Sequence, residues 1–444
     1  GAAGAPRFVG GLGWPLAALH LVTLGVLAMT AIGASLQLMP VATRQPVRAT
    51  WLPAATWWIY TVGVAATAIG MGAGQPAWLG AGAVAVVAGL LAYAGLSARN
   101  FVGARGMAGI VAHGWIALAS LVVVVVSALS LGTMQFGKAM NMGQLDQAAT
   151  NEMVKFALDH DINFIDTADV YSLGESETLL GNALKGIRQD IVLATKARLP
   201  MTETNLNRSG AHRVNIMREV EDSLRRLQTD YIDLYQMHGW DSNTPLEETL
   251  RTLDTLVKQG KVRYIGLSNY LAWQAAAALG IQKQQNLEPF ITAQLYYSLV
   301  GRDLEHDWFS FAEYSNMGIL VWSPLAGGFL SGKYQRGSGP DSGTRFAEAG
   351  QFVMFDEERA YNVVDVLRSV ADKHGVSPAR VSLAWTLSHK VISSVIIAAR
   401  NLRHLEDNIR AVDLKLDADD MKALNEVSDP GTPYPKWMVL QLDQ

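Results

Sequence analysis

The sequence predicts an α/β protein, a (β/α)8 TIM barrel preceded by an all-α membrane region of about four transmembrane helices. Three observations predict it. Residues 1–130 hold no Asp, Glu or Lys and five Arg, for a charge of +5, whereas the remainder carries all 40 acidic residues and sums to −9. From Ser127 onward, short β-rich runs alternate with longer amphipathic segments, which is how parallel βα units read in sequence. The length from Ser127 to Gln444 suits a closed eight-stranded barrel, which typically takes about 250 residues. The expected division is a transmembrane helical region over 1–126 and a barrel over 127–444.

The N-terminal region has four apolar stretches, Trp14 to Met39, Ala54 to Gly74, Ala77 to Ser97 and Met107 to Leu129. Each reaches the roughly 20 apolar residues that a hydrocarbon core requires. None shows the polar stripe of a soluble surface helix, so buried helices of a soluble core are the weaker alternative. A membrane through residues 14–129 is the partner this implies. His20 and His113 fall inside these stretches, where an ionisable group is costly and invites a functional reading. Their segments, "LHLVTLGVLAMTAIGASLQLMP" and "AHGWIALASL", resemble helices of haem-copper-oxidase-like membrane proteins, in which such histidines ligate haem. A neutral histidine hydrogen-bonded between helices is the competing reading. The chain starts at Gly1 without Met, which predicts that its natural N-terminus is missing.

Eight candidate strands follow in order: "ALSLGTM" near 128, "NFIDTAD" near 163, "IVLATKA" near 191, "YIDLYQMH" near 231, "VRYIGLSN" near 262, "FITAQLY" near 290, "GILVWSP" near 318 and "VISSVII" near 391. Between them lie helical patterns such as "HRVNIMREVEDSLRRLQ", where Val214, Met217, Val220 and Leu224 recur at three- and four-residue steps and predict the buried face. Pro245 and Pro378 stand where helices begin, and Gly260 and Gly375 where they end. An open doubly wound sheet is the rival architecture, but no GxGxxG follows the first soluble strand.

Function classes narrow in the same way. A moderately acidic soluble half lacks the clustered basic face that nucleic acid requires. Cysteine is absent, which removes disulfides and thiolate metal sites. In a parallel barrel, polar residues at the C-terminal strand ends carry the chemistry. Here those are Asp166 and Tyr171 after the second strand, Lys196 at the third and His238 at the fourth. A tyrosine could protonate a developing alkoxide if a nearby ammonium lowered its pKa from about 10. Asp166 could hold that ammonium in place, and His238 could hydrogen-bond a substrate carbonyl. Taken singly, each such residue is more often a cap or a core polar group; the joint pattern carries the reading.

The motifs "SALSLGTMQFG", "NFIDTADVYSLGESETLLGNAL", "KVRYIGLSNY" and "ILVWSPLAGGFLSGKY" closely resemble the aldo-keto reductase family, from about Val126 to the end. The resemblance implies that Asp166, Tyr171, Lys196 and His238 form the catalytic tetrad, with Tyr171 as general acid, reducing aldehydes or ketones with NADPH. It implies further that Ser268, Asn269 and Gln294 hold the nicotinamide carboxamide, that Trp322 stacks on the ring, and that Gly132, Thr133 and Met134 contact the cofactor. Ser323, Pro324, Leu325, Gly327, Gly332 and Lys333 fall in its pyrophosphate loop. Arg400, His404 and Asn408 fall in its adenosine segment, where a guanidinium suits the 2′-phosphate of NADPH.

Three departures accompany the match. Ala398 and His404 replace the family's usual Gly and Gln. The N-terminal hairpin that plugs the barrel bottom is absent, and "LASLVVVVV" enters the first strand directly. The positive-inside rule, applied to Arg44, Arg48, Arg99 and Arg105 against Arg7, would put the barrel outside the cell, whereas NADPH use places it in the cytoplasm. A join of two unrelated fragments near Val126 would reconcile these. The alternative functions are an NADPH-sensing regulatory subunit, like the β subunits of potassium channels, and a membrane redox protein passing electrons to haem.

Overall fold

The structure is a computed structural model that describes residues 51–73, scattered positions between 77 and 88, and residues 128–139, 143–202, 205–337 and 353–442. The backbone divides into two compact units, Gly1–Val125 and Val126–Gln444.

In the first unit, the expected span Ala54 to Gly74 coincides with a helix, Trp51–Ala73. The transmembrane reading is corrected there: among the described residues, no helix is long and apolar enough to cross a membrane. The 23 residues suffice in length, but Thr56, Tyr60, Thr61 and Thr67 dilute its apolarity, and Thr67 Oγ1 donates to Gly63 O at 2.8 Å. The membrane-partner expectation loses this span as support. The stretch Trp14 to Met39, the fourth stretch from Met107 as far as Ser127, most of Ala77 to Ser97, and both candidate haem ligands, His20 and His113, lie outside the described residues.

The second unit is a closed barrel of eight strands in sequence order. Its first half runs β1 (Leu129–Gly132), α1 (Gln147–Leu158), β2 (Phe164–Asp166), α2 (Glu175–Ala183), β3 (Val192–Ala197), α3 (Arg213–Leu227), β4 (Ile232–Met237) and α4 (Leu246–Lys258). Its second half runs β5 (Val262–Ser268), α5 (Ala272–Gln285), β6 (Phe290–Tyr296), α6 (Trp308–Ser315), β7 (Gly318–Trp322), α7 (Glu357–His374), α8 (Pro378–Leu387), β8 (Ile392–Ile397) and α9 (Leu402–Ile409). All neighbouring strands are parallel, and β1 pairs with β8, Leu131 against Ile397, to close the wall. Each candidate strand of the sequence is therefore a strand of the barrel.

Period-two alternation decides what each strand offers to either side. Inside, Ala194, Leu234, Leu320 and Ile396 pack with Phe164, Tyr264, Ile291 and Trp322 as a small core. Outside, Ile165, Leu193, Tyr235 and Met237 join the helices in the main core. Asp166, Lys196 and Gln236 stand two residues beyond Phe164, Ala194 and Leu234, so the same alternation turns them inward, one layer nearer the C-terminal mouth. Gly266 in β5 keeps the wall tight: a Cβ there would meet Thr292 Oγ1 at 2.4 Å.

Helix ends follow their signals. Ser377 caps α8 by accepting from Arg380 N at 3.1 Å, with Pro378 as first residue. Gly375 ends α7 at φ +63°. One helical face differs from expectation. In α3, Val214 is exposed and the buried residues include Ile216, Val220, Leu224 and Leu227, together with Glu219 and Asp222. The true stripe starts at Ile216 and advances by four, four and three to Leu227, and Val214 lies off it in the first turn.

Candidate active site

The C-terminal strand ends bring the four expected residues together. Lys196 is fully buried and spends all three ammonium protons: on Asp166 Oδ1 at 2.6 Å, Thr167 O at 2.8 Å and the Tyr171 hydroxyl at 3.3 Å. Asp166 is buried as well, and its Oδ2 accepts from Gln294 Nε2 at 2.8 Å and Gln236 Nε2 at 3.1 Å. A buried ion pair is sustained only when its remaining lone pairs and protons are satisfied, and here they are. Burial opposes the charge on Lys196, but Asp166 and Tyr171 outweigh it and hold the lysine above its ordinary value.

Tyr171 reaches this pair from the turn after β2, where Ser172 and Leu173 have φ of +48° and +53° and Gly174 has φ +90°. Its ring meets His238 edge to face, with centroids 5.9 Å apart. His238 follows β4; its backbone N–H donates to Ala197 O at 2.9 Å, its carbonyl accepts from Asn269 Nδ2 at 3.1 Å, and its Nδ1 is buried without a hydrogen-bond partner among the described residues. Burial, with Lys196 and Arg198 adding to it, pushes His238 well below the usual imidazole range, so the ring is neutral.

A cleft of about 850 Å³ runs from this cluster along the mouths of β1 and β5 to β8. It is lined by Asp166, Tyr171 and His238, by Gly132, Thr133, Met134, Ser268, Asn269, Gln294 and Trp322, by Ser323, Pro324, Leu325, Gly327 and Lys333, and by Arg400, His404 and Asn408. Lys196 lies beneath the lining. Gly332 does not line it: it caps the turn after β7 at φ +77°, its carbonyl held by Arg368 Nη2 at 2.7 Å. Trp322 Nε1 donates to Asn269 Oδ1 at 3.0 Å, Ser268 Oγ to Gln294 O at 2.8 Å.

The cleft fits a nicotinamide dinucleotide. The turn after β7 has Ser323, Ala326, Gly327 and Gly328 in left-handed conformation, a run that presents backbone N–H groups to anions. No atom lies within 4 Å of a Cβ added at Gly327, so that backbone is open to a ligand. Arg400, Arg403 and Arg410, from the segment after β8, line the cleft as well, Arg410 paired with Glu406; guanidinium groups there would meet phosphate. Sequence reasoning missed Gln236 beneath Asp166, and it missed the pair of Arg380 and Asp407, 2.5 Å apart, that joins α8 to α9 beside the cleft. Proline at the start of α8 marked the helix, but nothing local links residues 380 and 407.

A closed parallel barrel with a buried Lys–Asp pair under a tyrosine at its C-terminal mouth, opening on a dinucleotide-sized cleft, defines a barrel oxidoreductase. A sequence model of the aldo/keto reductase family matches residues 128–429. The chain belongs to that family, oxidoreductases that act on carbonyls. An uncharacterized oxidoreductase, YrpG, of Bacillus subtilis is 35% identical over 70% of this chain and 95% of its own length. A probable voltage-gated potassium channel subunit beta of Arabidopsis thaliana is 33% identical over 65% and 89%, and norsolorinic acid reductase of Aspergillus flavus 31% over 70% and 80%.

Proposed function

We propose that the barrel reduces aldehydes or ketones to alcohols with NADPH, and that Tyr171 is the general acid. The observation that carries this reading is the position of Lys196 Nζ, in hydrogen-bond contact with both Asp166 and the Tyr171 hydroxyl at the end of the cleft. Ser268, Asn269, Gln294 and Trp322 would hold the nicotinamide, and Arg400 with His404 and Asn408 the adenosine phosphate. The chemistry supplied by the reduced nicotinamide, when bound, is hydride donation to the carbonyl carbon. The Tyr171 hydroxyl donates its proton to the carbonyl oxygen as charge develops there, and the Lys196 ammonium stabilises the phenolate left behind. Asp166 keeps that ammonium charged and aimed. Neutral His238 can donate or accept a hydrogen bond at the same oxygen without adding charge. NADPH use favours a cytoplasmic barrel.

Likeness to the Arabidopsis channel subunit keeps a second reading open, a cofactor-sensing subunit in which turnover is incidental. One experiment separates the two: NADPH oxidation with a panel of aldehydes, for the chain and for Tyr171→Phe. A reductase turns over steadily and loses about 10²-fold or more of kcat in the variant, the range for general acid catalysis. Equal turnover in both would remove Tyr171 from the mechanism.

A further inference from the structure

Behind the barrel wall, against the turn that carries Tyr171, lies a layer of buried charge that the reaction as proposed does not use. Asp169, Glu177 and Glu219 are each fully buried. Glu177, on α2, accepts from Thr195 Oγ1 of β3 and from Arg226 Nε of α3, both at 2.6 Å. Glu219, on α3, accepts from Arg208 Nη2 at 3.3 Å and stands 4.0 Å from Arg226 Nη2. Asp222, on the same helix, pairs with Arg208 at 2.5 Å and also with Arg225. Each of these carboxylates therefore has a guanidinium, and among the described residues Asp169 makes no ion pair.

Asp169 is tied instead to the backbone of Lys196 and to that of the residue before Tyr171. Its backbone N–H donates to Lys196 O at 3.1 Å. Its Oδ1 accepts from Val170 N at 2.6 Å, the residue before Tyr171. The turn beyond leans on the same layer, since a Cβ at Gly174 would meet Arg226 Cδ at 2.7 Å. Asp169 Oδ2 is buried with no hydrogen-bond partner among the described residues, as are Glu219 Oε2 and the Tyr235 hydroxyl, which β4 turns outward into this layer.

We propose that Asp169 is a positioning residue for the reaction, its side chain holding from behind the wall the turn that presents Tyr171 to Lys196. It does so as a neutral acid. An ionised carboxylate in this place would be a buried negative charge beside two more carboxylates, its nearby guanidinium, Arg226, already paired with Glu177, and such groups keep their proton instead. Burial, with Glu177 and Glu219 adding to it, accordingly pushes the Asp169 carboxyl well above the usual range. The proposal rests on the reductase reading only for the meaning of kcat.

The test compares full-length wild type, Asp169→Asn and Asp169→Ala with NADPH and para-nitrobenzaldehyde. Tyr171 is followed in parallel without cofactor by ultraviolet titration, as the difference from the same chain carrying Tyr171→Phe. Asparagine keeps the bond to Val170 N and the neutral charge. It should hold kcat within about threefold, while alanine loses about 10- to 100-fold with KM and NADPH affinity within about twofold, the scale of a misplaced reacting group. The phenol should titrate higher in the alanine variant and not in the asparagine one.

A raised folded-state pKa means that folding stability falls as pH rises above the unfolded value. The Tm of Asp169→Asn relative to wild type should therefore climb from about pH 4 upward, since model aspartate titrates near there. Equal losses in both variants, or an alanine variant with wild-type kcat and wild-type phenol titration, would overturn the proposal. If the alanine variant does not fold, asparagine decides: kcat held with a climbing Tm supports it, and a tenfold loss overturns it. If wild type turns over no aldehyde, or Tyr171→Phe matches it, the reductase reading fails, and the phenol titrations alone decide the role of Asp169.

Discussion

Lys196 Nζ stands 2.6 Å from Asp166 Oδ1 with neither side chain open to solvent, 0% and 3% exposed. Among the described residues no other cation pairs with Asp166. Lys196→Met should strand a buried carboxylate and cost about 3–5 kcal/mol of stability, the usual penalty for removing one partner of a buried pair. Urea denaturation of the two proteins measures it, and a loss under about 1 kcal/mol, the scale of an exposed pair, would show that Asp166 does not depend on the lysine.

His238 gives a pH signature. Its folded pKa is depressed, so the unfolded chain takes up a proton near pH 6.5 that the folded protein does not. Stability is then present above that pH and falls below it, by up to about 1.4 kcal/mol per pH unit for one proton. Comparing urea denaturation at several pH values, wild type should lose stability on acidification faster than His238→Gln. Parallel profiles would mean that the ring charges in the folded state.

Arg400 tests cofactor choice. In the cleft's lining just after β8, its guanidinium suits a 2′-phosphate. Arg400→Ala should weaken NADPH by about 1.5–3 kcal/mol, the range for hydrogen bonds to charged groups, and leave NADH nearly unchanged. Fluorescence titration with both cofactors reads the difference, and equal losses would remove Arg400 from phosphate recognition.

Gly266 tests the wall itself. A methyl group there would press on Thr292 Oγ1 at 2.4 Å and Gln236 Cγ at 3.2 Å. Gly266→Ala should cost about 1–3 kcal/mol, as overpacking does, and because Gln236 holds Asp166, kcat should fall with it. An unchanged Tm would mean that β5 and β6 separate freely at this point.

The eight strands, their order and the placing of Asp166 and Lys196 at strand ends were legible in the sequence, because strand patterning and turn residues are local; that both face inward emerged with the barrel. The sequence also supplied the family, through motifs that are continuous in the chain, and about half of the residues that line the cleft; Gly332 is instead a turn cap, and the lining from α8, Ser377, Arg380 and Leu383, was not read. Its reading of α3 failed at Val214, where a three-residue step imitated the true stripe. It misjudged Trp51–Ala73, whose length matched a span although its apolarity fell short. Tertiary structure alone decided that Gln236 and Gln294 meet on Asp166, that Arg380 ties α8 to α9, and that Glu177, Glu219 and Arg226 close around Asp169. Most of those contacts join elements tens of residues apart, and in sequence the charged residues among them read as ordinary surface charges. Only closure of the barrel removes the water from around them, and without water each carboxylate must find a guanidinium or keep its proton.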